Sequence, residues 1–363
     1  MVCGIKGNRK QGKIQLTKEF PQKNTLYYIE ETALKKRLKE KWTEEKAETI
    51  TQIIQEGKRR WSKEIVAEWQ KKGIALVTYE QEKYPDRLRN ISSPPYALYV
   101  MGKLPEKGRR TAAIVGARNC TYYGETYARK IGKILSEAGI SVISGMARGI
   151  DAKGLEGAFA AGGRHCAVLG CGVDLCYPKE NRMLYQKLQR KGALLSEYVP
   201  GTPPLAGNFP PRNRIISALS DVVLVMEARK RSGSLITADF ALEQGIDVYA
   251  LPGPVTSSLS QGCHQLIRQG AGILISPEEF LSDLPYKLQK LLIKFSEKSN
   301  ENEIMLESPE KLLYSVLSLE PKNIQKIEEE LSLTRGEIME GLLNLEMNGW
   351  IQEVSKNDYI RLK

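Results

Sequence analysis

From about Thr111 to Ile275, short apolar runs alternate with longer segments whose apolar residues recur every three or four positions. Residues 112–115, 141–144, 166–169, 193–196, 222–225, 248–251 and 273–275 read as strands, and segments such as 125–138 and 152–161 read as helices. Strands that are apolar on both faces and alternate with helices imply a parallel sheet covered on both sides. With right-handed crossovers this is an α/β, doubly wound fold. Ligands of such sheets lie beyond the carboxyl ends of the strands, so the loops there are where functional residues are sought.

The flanking segments follow other patterns. Residues 25–73 place Leu34, Leu38, Ile50, Ile53, Ile54, Trp61, Ile65 and Trp69 at helical spacing, which predicts a small N-terminal helical domain. Two further strands are expected at 74–78 and 98–101, separated by the turn signals Tyr84-Pro85 and Ser92-Ser93-Pro94-Pro95. The α/β domain is thus bounded at 74–284, followed by a polar linker at 285–304. Residues 305–363 suggest three short helices and a terminal hairpin, the order of a winged-helix domain. Residues 1–24 show no periodicity and read as a basic, flexible arm.

Charge sharpens this picture. The chain of 363 residues carries a net +11, unevenly distributed. Residues 1–110 hold 25 Lys and Arg against 14 Asp and Glu, residues 111–300 hold 22 against 16, and residues 301–363 hold 7 against 13. A basic body suggests a polyanionic partner, although basic surface also serves solubility, and the acidic tail suggests a different partner. No apolar run approaches the roughly 20 residues of a membrane helix, and the amino terminus lacks a secretory leader, so a cytoplasmic protein is expected. The six cysteines (Cys3, Cys120, Cys166, Cys171, Cys176 and Cys263) form no CxxC pair. They read as small buried residues, with no metal and no cofactor expected.

Four loops carry candidate chemistry. Gly116-Ala-Arg118 ends the first long strand, where backbone amides and a guanidinium would meet a phosphate, or where a tight turn simply exposes an arginine. Ser144-Gly-Met-Ala-Arg148-Gly-Ile-Asp151 ends the next; Arg148 would face a ligand, or would pair with Asp151 and cap the following helix. In Asn208-Phe209-Pro-Pro-Arg212-Asn213-Arg214 the prolines start a helix, and two arginines and an amide are available for phosphates and base edges. Phe209 would stack on a base or plug the core. Arg229-Lys-Arg231-Ser232-Gly233-Ser234-Leu-Ile-Thr237 combines three cations with a helix start and forms the densest phosphate-like cradle. Lys179 lies on the same edge. Gly7 to Lys13 has nucleoside-triphosphatase loop spacing, but Ile14 replaces the required Ser or Thr. Neither His165 nor His264 sits in a nucleophile arrangement.

Together the segments IVGARNCTYYG, SGMARGIDAKGLEGAFAAGG, AVLGCGVDLCYPKENRMLY, NFPPRNRIISALS, RSGSLITADFALEQG and LPGPVTSSLSQGCHQLIRQGA closely resemble the DprA/Smf family of bacterial DNA-processing proteins. The similarity runs from about Ile74 to Ile275. It implies an extended Rossmann-like domain that binds single-stranded DNA, usually as a dimer, protects incoming DNA in natural transformation and helps load a RecA-type recombinase. It also implies that Arg118, Lys179, Phe209 and Arg212 lie in the DNA pocket, and that the protein is not an enzyme. Residues 25–72 lack the family's GIG-type hairpin, and Ala117 stands where the family often has serine. The rival is a nucleotide or phosphoribosyl hydrolase on a Rossmann-like core, but its PGGxGTxxE signature has no counterpart. The acidic tail disfavours a duplex-reading winged helix and favours a protein contact.

Overall fold

A computed structural model describes residues 35–36, 38–40, 43–60, 63–283 and 308–362. The basic arm at 1–24, the linker at 285–304, Leu34, Trp61 and Cys3 lie outside the described residues. The chain divides into two compact units, one running to Arg118 and resuming at Ala128–Ile275, the other formed by Asn119–Tyr127 with Ser276 onward.

The first unit is built on nine strands: β1 Ile74–Thr78, β2 Ala97–Gly102, β3 Thr111–Val115, β4 Ser141–Ser144, β5 Cys166–Val168, β6 Ala193–Ser196, β7 Val222–Val225, β8 Asp247–Ala250 and β9 Gly272–Ile273. Their order across the sheet is β1-β2-β6-β5-β4-β3-β7-β8-β9. The seven strands from β6 to β9 are parallel, as doubly apolar strands joined by helices require. Every residue of β3, β4, β5, β6 and β7 is buried. The two earlier strands extend this sheet: β2 runs antiparallel to β6, and β1 antiparallel to β2. The β1–β2 connection holds only the four-residue helix Asp86–Arg89, too short for a parallel crossover, so the chain reverses. The helix Lys63–Lys71 precedes β1, and its Trp69 meets Tyr99 of β2 edge-on at 5.5 Å.

From β3 the chain winds outward through β4, β5 and β6, then returns to place β7 on the other flank of β3. This reversal makes the carboxyl ends of β3 and β7 the switch point of the sheet, where flanking loops diverge and leave a crevice.

The layer over β3 and β4 depends on close backbone approach. A Cβ on Gly132, in the helix Tyr122–Glu137, would lie 2.1 Å from the Gly154 carbonyl in the helix Ile150–Ala160. A Cβ on Gly157 would lie 2.1 Å from the Arg129 carbonyl. Gly132→Ala is therefore expected to destabilise the fold by about 1–3 kcal/mol, read as a lower urea midpoint.

His165 is wholly buried beside this layer, its ring 4.8 Å from Phe159. The Val142 amide donates to Nδ1 at 3.1 Å, so Nε2 carries the proton and donates to the Gly162 carbonyl at 2.7 Å. Burial holds the imidazole below its ordinary value of 6.5. On acidification through about pH 6.5 the unfolded chain binds a proton that the folded chain does not. Stability should then fall with pH, and denaturant titrations of His165→Gln should show a flatter fall; an unchanged slope would count against this assignment.

The second unit contains the helices Ser308–Val316, Ile324–Glu330 and Arg335–Met347 and the strands β10 Lys322–Asn323, β11 Ile351–Ser355 and β12 Asp358–Arg361. The strands pair in the order β10-β12-β11 around a core that includes Leu313, Ile324, Ile338, Leu342 and Tyr359. The expected three helices and hairpin are joined by β10, whose two residues leave no period to read. Thr334 and Glu337 form a reciprocal capping box at the start of the last helix.

Candidate nucleic-acid interface

An open cleft of about 440 Å³ lies beyond the carboxyl ends of β3 and β7. Its walls come from the loop after β3 (Gly116, Arg118), the loop after β4 (Ala147, Asp151), the start of the helix Phe209–Ala218, and Ser232 to Thr237 after β7. Three helices begin here: Ile150–Ala160, Phe209–Ala218 and Gly233–Glu243. Each lies beyond the same strand ends, so the positive ends of their dipoles favour an anion.

Phe209 occupies the centre. It packs on Gly170, where a Cβ would come within 2.8 Å of the ring. The ring is half-buried and also lines the cleft, so it is anchored on one side and open to the cleft on the other. Tyr177 stands 5.6 Å away at an interplanar angle of 38°. The guanidinium of Arg118 lies 5.6 Å from the centroid and that of Arg212 5.8 Å, within range of cation–π attraction. Aromatic rings flanked by arginines suit a base with its phosphate.

The two arginines differ in freedom. Arg212 is only 5% exposed, and its Nη1 donates to the carbonyls of Gly145, at 2.9 Å, and Val168. Burial lowers its pKa to about 10, opposed by the nearby Asp151 carboxylate, so it stays charged at neutral pH. Asp151 is buried too. Burial raises its pKa, while Arg212 and the amides of Ala147, Gly145 and Gly116 oppose that rise. Its Oδ2 accepts from the Gly145 amide at 3.1 Å and the Ala147 amide at 3.4 Å. Gly145 is required here, because a Cβ would lie 2.6 Å from Asp151 Oδ2 and 2.7 Å from Arg212.

These contacts correct several expectations. The cation that acts on Asp151 is Arg212, whose charge opposes the rise of its pKa, whereas Arg148 is 57% exposed and faces Glu180 at 3.9 Å. Arg212 therefore forms part of the cleft wall, its Nη1 held by two backbone carbonyls and its Nε without a hydrogen-bond partner among the described residues. Arg214 does not face the cleft. It is buried, ion-paired with Glu197, and donates from Nε to Ser93 O at 2.9 Å. Residues two apart on a helix point about 200° apart, so Arg212 and Arg214 do not serve one ligand. Asn213 does line the cleft, with Nδ2 donating to Gly233 O at 3.1 Å. At the cradle after β7, Ser232 caps the helix and its hydroxyl lies 2.7 Å from that of Ser234. Ser234 and Thr237 are buried in the wall, whereas Arg231 is exposed and outside the lining. Lys179 is exposed at the head of a short 3-10 turn, Lys179–Asn181, tied to the β4 loop by Asn181 Nδ2 donating to Met146 O at 2.9 Å.

Two neighbours of Phe209 are not among the candidates that the sequence singles out. Tyr177 is an aromatic two positions before Lys179, and Gly170 is the residue on which Phe209 packs. Neither histidine lines the cleft; His264 Nε2 lies 2.9 Å from Gly253 O. Burial also keeps the Cys166 thiol protonated, at about 12.

Residues 75–285 match the sequence family described as DNA recombination-mediator protein A. Protein Smf of Escherichia coli (strain K12) is 40% identical over 293 residues, spanning 79% of this chain and 77% of its own. DNA processing protein DprA of Streptococcus pneumoniae is 40% identical over 205 residues, spanning 56% and 72%. The X-ray structure of DprA from S. pneumoniae superposes with a TM-score of 0.62 at 31% identity, covering 77% of this chain and 94% of that one. A structure of DNA processing protein A from Helicobacter pylori, concerned with its single-stranded DNA binding mode, gives 0.52 at 27% identity, covering 61% and 96%.

Proposed function

Since this chain belongs to the DNA recombination-mediator protein A family, we propose that its cleft binds single-stranded DNA without covalent chemistry, as a mediator and not as an enzyme. One observation carries the reading: an accessible phenylalanine ring flanked by two arginines where three helix amino termini converge. Arg118 takes a phosphate, Phe209 and Tyr177 hold a base, and the Ser232–Ser234 helix start takes a second phosphate. Lys179, Arg148 and Arg231 act as outer, exposed cations that draw the strand in. Single strands are preferred because a duplex hides its base faces.

The biological reading follows the same premise. The protein protects incoming DNA during natural transformation and promotes loading of a RecA-type recombinase, in the cytoplasm. Among the described residues no helix is long and apolar enough to cross a membrane. A homodimer would place two clefts on one strand and raise avidity. The carboxyl-terminal unit is read as a winged helix that has given up duplex binding.

Fluorescence-anisotropy titration of matched single- and double-stranded oligonucleotides across a salt series tests the core of this proposal. Single strands should bind more tightly, with a slope of about −0.7 in log affinity against log salt per phosphate contact. Equal affinity for duplex, or no dependence on salt, would remove the stacking cleft as the explanation.

A further inference from the structure

The helix Arg335–Met347 turns Ile338, Gly341, Leu342 and Leu345 into the core of its own unit. Gly341 brings it close to its neighbour, since a Cβ there would sit 2.3 Å from Leu313 Cδ1. The helix also displays a second apolar line outward. Met339 is 47% exposed, Leu343 58% and Met347 79%. These residues are four apart in sequence, so they form one stripe about 12 Å long on a single helix face.

None of the three belongs to the buried core of the unit, and the helix start is capped by Thr334 and Glu337. Scattered exposed apolar residues are ordinary, but three in register that include two methionines form a surface suited to docking. Its charge indicates what docks. Arg335 is the helix's sole cation, and it lies 3.4 Å from Glu328. Glu340 and Glu346 lie beside the stripe in sequence, and Glu340 makes no ion pair among the described residues. The surrounding segment, 301–363, carries 7 basic against 13 acidic residues. Such a face repels phosphates, and it equally repels a second copy of itself.

We propose that the Met339–Leu343–Met347 stripe is a docking face for an amphipathic helix of another protein, one whose apolar seam is flanked by lysine or arginine. Three anchors spaced over two turns match the spacing by which a helix lies in or against an apolar groove. Methionine adapts to different anchor shapes, and the acidic rim orients the partner and rejects acidic helices. The contact is small, so it is weak and reversible. The stripe belongs to the second unit and the cleft to the first, so the two activities are read separately.

The test uses the full-length protein and a fluorescein-labelled, helix-forming peptide of about 15 residues made of leucine, alanine and lysine. Its leucines are placed at i, i+4 and i+7. A scrambled peptide of identical composition and a glutamate-for-lysine version are the comparators. The ordered lysine peptide should bind saturably, and Met339→Ser with Leu343→Ser should weaken it about tenfold or more, at unchanged affinity for single-stranded oligonucleotide. Leu343→Met should retain binding, which separates loss of the stripe from loss of the fold. The proposal is overturned if the scrambled peptide binds equally well, or if the double serine variant matches the parent. It is overturned as well if the substitutions change only the concentration dependence of the protein's own mass in solution, which would make a second copy the occupant.

Discussion

Phe209→Ala is expected to weaken binding of a single-stranded oligonucleotide by about 5- to 150-fold, the range that about 1–3 kcal/mol of stacking per base corresponds to. The effect has two sources. The half-buried ring lines the cleft, and it also supports the guanidinium planes of Arg118 and Arg212 from less than 6 Å. Phe209→Tyr and Phe209→Trp should keep most of the affinity, because both retain a π face over Gly170. Arg118→Ala should weaken binding by a smaller factor and reduce the salt slope, since it removes a phosphate contact and leaves the ring in place. Tyr177→Ala tests whether the neighbouring ring, 38% exposed, contributes a second stacking surface. If Phe209→Ala bound within twofold of the parent while Arg118→Ala did not, capture would be purely electrostatic and the stacking role would be withdrawn.

The second large effect concerns stability. Asp151→Ala should cost about 3–5 kcal/mol, because it removes the acidic neighbour that opposes the burial penalty on the Arg212 charge. It also deprives the Gly145 and Ala147 amides of their acceptor. Urea denaturation followed by circular dichroism measures this as a fall in midpoint at constant slope. Asp151→Asn keeps an oxygen for the amides and loses the charge, so its midpoint should lie between those of Asp151→Ala and the parent. Arg212→Met should also destabilise, since it leaves a buried carboxylate. The double variant Asp151→Asn/Arg212→Met should be more stable than the two single effects added, as expected of partners in one network. Simple additivity would mean that the two groups do not interact and that the cleft wall rests on packing alone.

Arg212 and Arg214 show where sequence reasoning reaches its limit. Both stand in one basic, proline-led segment with the same local signal. A helix there sends them in different directions, one to the cleft and the other to Glu197. Asp151 likewise offers two plausible partners to a reader of the chain. Arg148 is nearer in sequence, but the crossing of the helix Phe209–Ala218 over the loop after β4 brings Arg212 to it instead.

The sequence by itself determined the seven parallel strands, the loops that follow them and the residue types those loops present, including Phe209 and Arg118. These are local properties: periodicity marks strand and helix, and glycine, proline and arginine mark where a strand end becomes a phosphate-seeking turn. The tertiary structure decided that β1 and β2 continue the sheet and that Tyr177 joins Phe209. It also decided which cations are free and which are held. Those outcomes depend on contacts such as Arg212 to Gly145 and to Val168, which join residues 67 and 44 positions apart. No local pattern carries such a pairing; the path of the backbone across the sheet does.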